Sequence, residues 1–227
     1  MPRKTELWIV GGFVVAVVVI AILAVLFGSN APSSSFSATT VPPITAADHA
    51  RGDTSGAKLT VIEYGDFECP ACGQYEPIVE QLTQQYGNKV EFIFRNFPLY
   101  QIHPFAMISA QAAEAAALQG KYWEMHDLLY KNQTLWTAAT NLTPSDVVSK
   151  YFDVYAQQLG LNVTQFNSDI NSTAVKNRVQ KDLDSGNAAY IDHTPTFFFN
   201  LTQIQNPTSL AEFQKDIDTA LASSTAQ

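Results

Sequence analysis

The sequence predicts an α/β fold in which a helical insertion separates a β-α-β half from a β-β-α half, preceded by one N-terminal transmembrane helix. Segments rich in β-branched and aromatic residues alternate with segments of helical periodicity, which is typical of a sheet with connecting helices. A block over about residues 100–188 has helical character and interrupts that alternation. An apolar run without charge, residues 7–27, comes before all of them.

The N-terminal apolar run predicts a membrane anchor. As a helix, residues 7–27 would span roughly 30 Å, and the basic residues within 1–6 would keep that end in the cytoplasm. A cleaved signal peptide is the alternative, but its apolar region is usually about 7–15 residues long and ends at a small-x-small site. Residues 28–47 are rich in Ser, Thr and Pro and predict a flexible linker. We therefore expect a folded domain over 48–227, outside the cytoplasm.

The elements of that domain follow from propensity, periodicity and caps. Thr143 is a typical N-cap residue, and Pro144 after it suits the first helical position. Strands are expected at residues 59–64, 89–95, 196–199 and 203–204. Helices are expected at residues 72–86, 105–118, 122–130, 143 to about 160, 163 to about 186, and 209–222.

The chain has only two cysteines, and both lie in Cys69-Pro70-Ala71-Cys72. Two cysteines cannot build a disulfide framework or complete a four-thiolate zinc site. Their position on a strand-to-helix turn puts Cys69 at a helix N-terminus, where free N–H groups and the helix dipole lower a thiol pKa. A structural disulfide or half of a metal site is the alternative. Outside the cytoplasm, where disulfides persist, we expect a working dithiol.

The composition excludes some classes of partner. A formal net charge of −8 and the lack of a Gly-rich phosphate loop argue against nucleic acid, which needs a basic surface. Three methionines without a neighbouring Met/His cluster give little support for metal delivery. No cofactor and no metal site are predicted.

Several motifs in order carry a family resemblance over about residues 48–222. They are 48–52 (DHARG), 63–72 (EYGDFECPAC), 94–99 (FRNFPL), 103–106 (HPFA), 120–127 (GKYWEMHD) and 194–198 (TPTFF). With these motifs the chain resembles the DsbA-like branch of the thioredoxin-fold thiol–disulfide oxidoreductases, and the membrane-anchored bacterial members most. The resemblance implies a thioredoxin-like fold that carries the helical insertion.

The resemblance also implies a substrate-binding loop opposite the dithiol. It implies a cis peptide bond before Pro195, with the backbone of Thr194 pairing with an extended segment of a client protein. His193 stands where relatives usually have Gly. Its imidazole could stabilise the thiolate, narrow the loop or point into solvent.

The chemical roles of the dithiol follow from position. Cys69 is expected to be the exposed, acidic sulfur that forms the mixed disulfide, and Cys72 the more buried resolving thiol. Glu63, six residues before Cys69 on the strand, is expected to point beneath the dithiol. In related folds a buried acid at this place relays a proton to the resolving cysteine, and burial would raise its pKa. A solvent-exposed strand glutamate is the alternative.

Aromatic residues near the dithiol are expected to give apolar surface for unfolded clients. The candidates are Tyr64, Phe67, Tyr100 and Phe105. Because Ala71 offers no charge or donor, we expect an oxidant of intermediate strength.

The predicted function is a membrane-tethered thiol oxidase that introduces disulfide bonds into reduced, unfolded exported proteins. As the resemblance implies, a membrane quinone-linked thiol oxidase would reoxidise it. A reductase or isomerase kept reduced by a membrane electron donor is the alternative. A non-catalytic module that binds clients or a metal through its thiols is a third reading.

Overall fold

The computed structural model describes residues 40–52, 55–138 and 141–224. The predicted anchor at 7–27 and the linker up to residue 39 lie outside these residues. Within the described ranges, no helix is long and apolar enough to span a bilayer.

A five-stranded mixed sheet forms the centre of the domain. Its strands are β1 (His49–Gly52), β2 (Leu59–Gly65), β3 (Val90–Asn96), β4 (Thr196–Phe199) and β5 (Thr202–Gln203). The spatial order is β1-β3-β2-β4-β5, with β2 and β3 parallel and the other pairs antiparallel. The sequence did not predict β1, because its four residues lack a β-forming pattern and the strand exists by pairing with β3.

Helices and the loops that join them surround the sheet. The first, α1 (Pro70–Tyr86), connects β2 to β3, and the last, α9 (Leu210–Ser224), closes the chain. The helical insertion lies between β3 and β4, as predicted. It comprises α2 (Ala106–Ala117), α3 (Tyr122–Lys131), α4 (Gln133–Thr137), α5 (Pro144–Val147), a π-helical turn (Val148–Phe152), α6 (Asp153–Gln158), α7 (Val163–Ile170) and α8 (Thr173–Ala188).

The alternation of side chains along β2 builds two cores. Leu59 and Val61 face one side and pack with residues of α1 and α9, whereas Ile62 and Tyr64 face the other side, toward α8. Glu63 lies two residues after Val61, so the alternation of the strand places its side chain on the same face of the sheet, toward α1. A third cluster fills the insertion and reaches the two cysteines.

Two predicted helices differ from the structure. The single helix expected from 163 to about 186 is α7 and α8, because Asn171 is the C-cap of α7 and Ser172 is the N-cap of α8, accepting a hydrogen bond from Val175 N at 3.2 Å. The helix that starts at Thr143 has the predicted N-cap, completed by a capping box with Asp146, but a π-helical turn interrupts it.

The segment of residues 40–47, expected in the linker, packs onto the domain. Val41 is buried, and its N–H donates to Leu201 O at 3.1 Å. Arg95 donates to the carbonyls of Pro42 and Pro43, at 3.1 and 3.3 Å, and pairs with Asp48 at 2.7 Å. The Ser/Thr/Pro composition did not show this, because backbone carbonyls held by one buried arginine leave no side-chain pattern.

Candidate active site

The dithiol lies where β2 gives way to α1, as predicted. Cys69 is the N-cap of α1 with extended backbone angles (φ −68°, ψ 120°), and Pro70 takes the first helical position. Both cysteines are free thiols, and Cys72 is fully buried. Cys69 is only 7% exposed, so the expectation of an exposed nucleophile was wrong. The loop before β4 lies against its sulfur, with Thr194 O 3.3 Å from Cys69 Sγ.

The two thiols differ strongly in acidity. A hydrogen bond from the Cys72 thiol is the largest of the effects that hold the pKa of Cys69 at about 5, and the N–H groups of Cys72 and Ala71 in the first helical turn contribute. Burial raises the pKa of Cys72 well above its usual range. The site can therefore keep one sulfur as thiolate and the other protonated at neutral pH.

The loop before β4 faces the dithiol. The Thr194–Pro195 peptide bond is cis, as the resemblance implied, and the Cys69 thiol donates to Thr194 O at 3.3 Å. Asn206 donates to Pro195 O at 2.6 Å, and the Thr196 hydroxyl donates to His193 O at 2.8 Å. These bonds fix the backbone on both sides of the proline.

Glu63 is buried on the α1 side of β2 and is only 5% exposed, so it is not a strand residue in water. Burial raises its pKa well above the usual range, and the negative charge of Glu76 adds to the rise. The charge of Glu63 in turn adds to the rise in the Cys72 pKa. The predicted placement beneath the dithiol is thus consistent with the electrostatics, and the proton-relay role stays a prediction.

His193 lies in solvent rather than against the thiols. Its side chain is 58% exposed, and Nδ1 lies 2.7 Å from the carboxylate of Asp192. Of the readings that the sequence left open, the solvent-facing one matches this geometry. A contact between His193 and a client stays a prediction.

An acidic side chain before the dithiol organises the loop, which the sequence reasoning missed. The buried Asp66 accepts from Glu68 N at 2.8 Å and Leu99 N at 2.9 Å, and it lies 2.7 Å from His103 Nδ1. The hydrogen bond to Asp66 raises the pKa of His103. The signal was present as an acidic residue in the turn and a histidine in the 103–106 motif, but neither shows its partner.

A second missed residue comes from the insertion. Gln133 Nε2 donates to the carbonyls of Phe67 and Cys69, each at 2.8 Å, so α4 is bonded directly to the dithiol turn. No pattern in the sequence indicates this contact, because 64 residues separate Gln133 from Cys69.

The aromatic candidates for client binding divide into two groups. Tyr64, Phe67 and Phe105 are buried, so the expectation that they form surface was wrong; they pack in the cores instead. Tyr100 is 52% exposed, and Ile102 in the same loop is 70% exposed.

Among the described residues, one group has ligand atoms close enough for a metal ion, namely Glu76, His126 and Asp127. Arg51 already pairs with both carboxylates, at 3.4 Å to Glu76 and 3.2 Å to Asp127. Its guanidinium supplies the positive charge that an ion would bring, so the group is an ion-pair network, partly buried at Glu76 and exposed at Asp127, with the buried His126 beside it.

The comparisons with known proteins concern the same part of the chain. A protein-family model described as thioredoxin matches residues 45–219. Among solved structures, α-DsbA1 of Wolbachia pipientis is 20% identical, covers 81% of this chain and 96% of its own, and superposes with a TM-score of 0.70. BdbD of Bacillus subtilis in its oxidised form is 21% identical, covers 82% and 98%, and has a TM-score of 0.67.

The curated relatives are much longer than this chain. A Na(+)/H(+) antiporter NhaA 3 of Salinispora tropica is 38% identical over 176 residues, which is 78% of this chain but 25% of that protein. A similar antiporter of Salinispora arenicola is 40% identical over 67% of this chain and 22% of its own length. The chain thus spans about a quarter of the length of these relatives.

The family match covers the sheet, the insertion and the loop with Pro195, and the structural likeness to α-DsbA1 covers 81% of the chain. The site itself has an acidic thiol, a buried second thiol and a cis-proline loop against them. The chain therefore belongs to the thioredoxin family, with the DsbA-like form of the fold and the dithiol site of a thiol–disulfide oxidoreductase.

Proposed function

We propose that this protein is a thiol oxidase that introduces disulfide bonds into exported proteins through Cys69 and Cys72. The observation that carries the proposal is the separation of the two thiol pKa values, with Cys69 at about 5 and Cys72 well above its usual range. A stabilised Cys69 thiolate stabilises the reduced protein, which makes the disulfide form the stronger oxidant. The same stabilisation makes the dithiol a weaker reductant, which counts against the opposite assignment, a reductase.

The proposed exchange consumes two client thiols for each disulfide that forms. A client thiolate attacks Cys69 Sγ of the Cys69–Cys72 disulfide, so a mixed disulfide forms and Cys72 leaves as a thiolate. Glu63, whose pKa burial raises well above its usual range, is the proposed acid that gives Cys72 its proton. A second client thiolate then attacks the client sulfur, and Cys69 leaves. The client loses two electrons and gains a disulfide, and the protein becomes a dithiol.

Client recognition is proposed at the loop before β4. The backbone of Thr194 beside Pro195 would pair with an extended client segment, which gives affinity with little sequence preference. His193 and Asp192 are exposed beside this loop, where a bound client would pass. Tyr100 and Ile102 offer apolar surface for an unfolded chain.

Tethering at a membrane is part of the proposal. Residues 7–27 have the length and apolar character of a span, with the basic end inside, so the domain would lie outside the cytoplasm. The curated relatives join a matching domain to a protein named as an antiporter, which supports a place beside the membrane. A membrane quinone-linked thiol oxidase would take the two electrons from Cys69 and Cys72.

Trapping the cellular redox state tests the direction of electron flow. Cells are quenched with acid, free thiols are alkylated with a mass tag, and the forms are separated. A mostly disulfide population is the expected result, whereas a mostly dithiol population would instead support the reductase or isomerase. A Cys72→Ser variant should accumulate mixed disulfides through Cys69; if it captures no protein, the non-catalytic binding module becomes the better reading.

A further inference from the structure

The carboxamide of Gln133 is bonded to the backbone that carries the nucleophile. Its Nε2 donates to Phe67 O and to Cys69 O, both at 2.8 Å, and the residue is 8% exposed. The Cys69 carbonyl also accepts the N–H of Gly73 at 3.2 Å, as the first bond of α1. One side chain of the insertion therefore ties together the turn before the dithiol and the first turn of the helix after it.

Gly73 provides the space that this contact needs. A Cβ atom at position 73 would collide with the carboxamide of Gln133. The contact therefore depends on both residues. Gly73 on α1 has no side chain, and the amide of Gln133 from α4 fills the space that a side chain would occupy.

The helix that carries Gln133 is itself held firmly. Trp136 is fully buried on α4, donates to Leu129 O at 3.0 Å and packs edge-on against Phe152 at 5.5 Å between ring centroids. The amide therefore approaches the turn from a rigid support rather than from a free loop.

We propose that Gln133 is a positioning residue for the dithiol, which fixes the Phe67–Cys69 backbone so that Cys69 Sγ stays aligned with the Cys72 thiol and the first-turn N–H groups. Hydrogen bonds weaken steeply with misalignment, so a looser turn would stabilise the thiolate less. The inference deepens the exchange chemistry proposed above, but thiol acidity can be measured without any client.

The test compares three single variants and one double variant in the full-length protein. Gln133→Met keeps the length of the side chain and removes its donor, whereas Gly73→Ala keeps the amide and displaces it. The matched control is Gln119→Met, because Gln119 also lies in the insertion and donates to a backbone carbonyl, that of Asn162 at 3.2 Å. The Cys69 pKa is read from thiolate absorbance, and the glutathione equilibrium constant gives an independent measure.

Gln133→Met and Gly73→Ala should each raise the Cys69 pKa by about one pH unit, which is about tenfold in acidity. Because both changes break the same contact, the double variant should shift little further than the larger single one. Gln119→Met should leave both readouts unchanged. Gly73→Ala provides the test if Gln133→Met does not fold.

Two results would overturn the inference. One is a folded Gln133→Met variant with the parent's pKa and equilibrium constant, and the other is an equal shift in Gln119→Met, which would indicate general loosening. A parent pKa near about 8.5 is a separate failure, because it would contradict the proposed oxidase rather than the role of Gln133.

Discussion

The thiol of Cys69 donates a hydrogen bond to the carbonyl of Thr194, 125 residues away in the chain, at 3.3 Å. A thiolate has no proton to donate, so ionisation of Cys69 leaves that carbonyl free to accept an N–H from a client. The nucleophile and the proposed client-binding backbone are therefore coupled through one proton.

The first prediction concerns the acidity of Cys69. Its thiolate should titrate near pH 5, and Cys72→Ala should raise that pKa because the Cys72 thiol is its main hydrogen-bond donor. Loss of one such bond to a charged group is worth roughly one pH unit or more. Thiolate absorbance against pH measures both. An unchanged pKa in Cys72→Ala would contradict this account of the acidity.

The second prediction concerns stability against pH. The pKa of Cys69 is depressed in the folded dithiol, so its contribution is fully present above the unfolded pKa and is lost as pH falls toward 5. The free energy of unfolding of the reduced form, relative to the oxidised form, should therefore rise from pH 5 to 8, by at most ~1.4 kcal/mol per pH unit. Denaturant unfolding of both forms measures this difference, in which the shared titrations cancel. A flat difference would rule out a stabilised thiolate.

The third prediction concerns Glu63. Because the pKa of Glu63 is higher in the folded than in the unfolded protein, its ionisation destabilises the fold as pH rises above the unfolded-state pKa. Glu63→Gln should therefore be more stable than the parent at pH 7.5 and similar to it near pH 4. Resolution of a mixed disulfide should slow on the order of a hundredfold, because a positioned proton donor and acceptor is lost. Stopped-flow exchange with a model peptide gives the rate. Resolution at the parent's rate would remove Glu63 from the mechanism.

The fourth prediction is an absence of effect at His193. Since the imidazole is 58% exposed and paired with Asp192, His193→Gly should change the glutathione equilibrium constant less than about twofold. Asp192→Asn is the companion variant and should behave alike. A shift of tenfold or more in His193→Gly alone would show that the imidazole acts on the thiolate.

The fifth prediction concerns the buried ion pair of the insertion. Arg178 pairs with Asp182, which is 4% exposed and has a pKa raised by burial to about 6 despite the opposing effect of Arg178. Arg178→Met leaves that carboxylate buried without its cation, so we expect a loss of about 3 kcal/mol at pH 8 and less at pH 5, where Asp182 is protonated. Lys176→Met, an exposed change on the same helix, should cost less than about 0.5 kcal/mol. Equal losses for Arg178→Met at both pH values would contradict this reading.

The sequence predicted the strands β2, β3 and β4, the helix that begins at the cysteines, and the loop with Pro195. Those features depend on local propensity or on a motif with a fixed place in the fold. It did not predict the contact of Gln133 with Cys69, the pairing of Asp66 with His103, or the recess of Cys69. Each of these features depends on residues from distant segments that come into contact only after the insertion has packed. No spacing along the sequence indicates such a contact.

The hydrogen bonds from Arg95 to Pro42, Pro43 and Asp48 decide how a mechanical load on residues 40–48 would be carried. Thr40 bridges Thr202 at the edge of the sheet, and β4 and β5 turn back near the start of β2, whereas Cys69 follows the end of β2. Arg95 stands opposite Tyr64 near the end of β2 and also donates to the Tyr64 hydroxyl at 2.9 Å, so a pull on residues 40–48 would be shared between the two ends of that strand. Part of that load would therefore fall on the strand end from which the chain continues to Cys69.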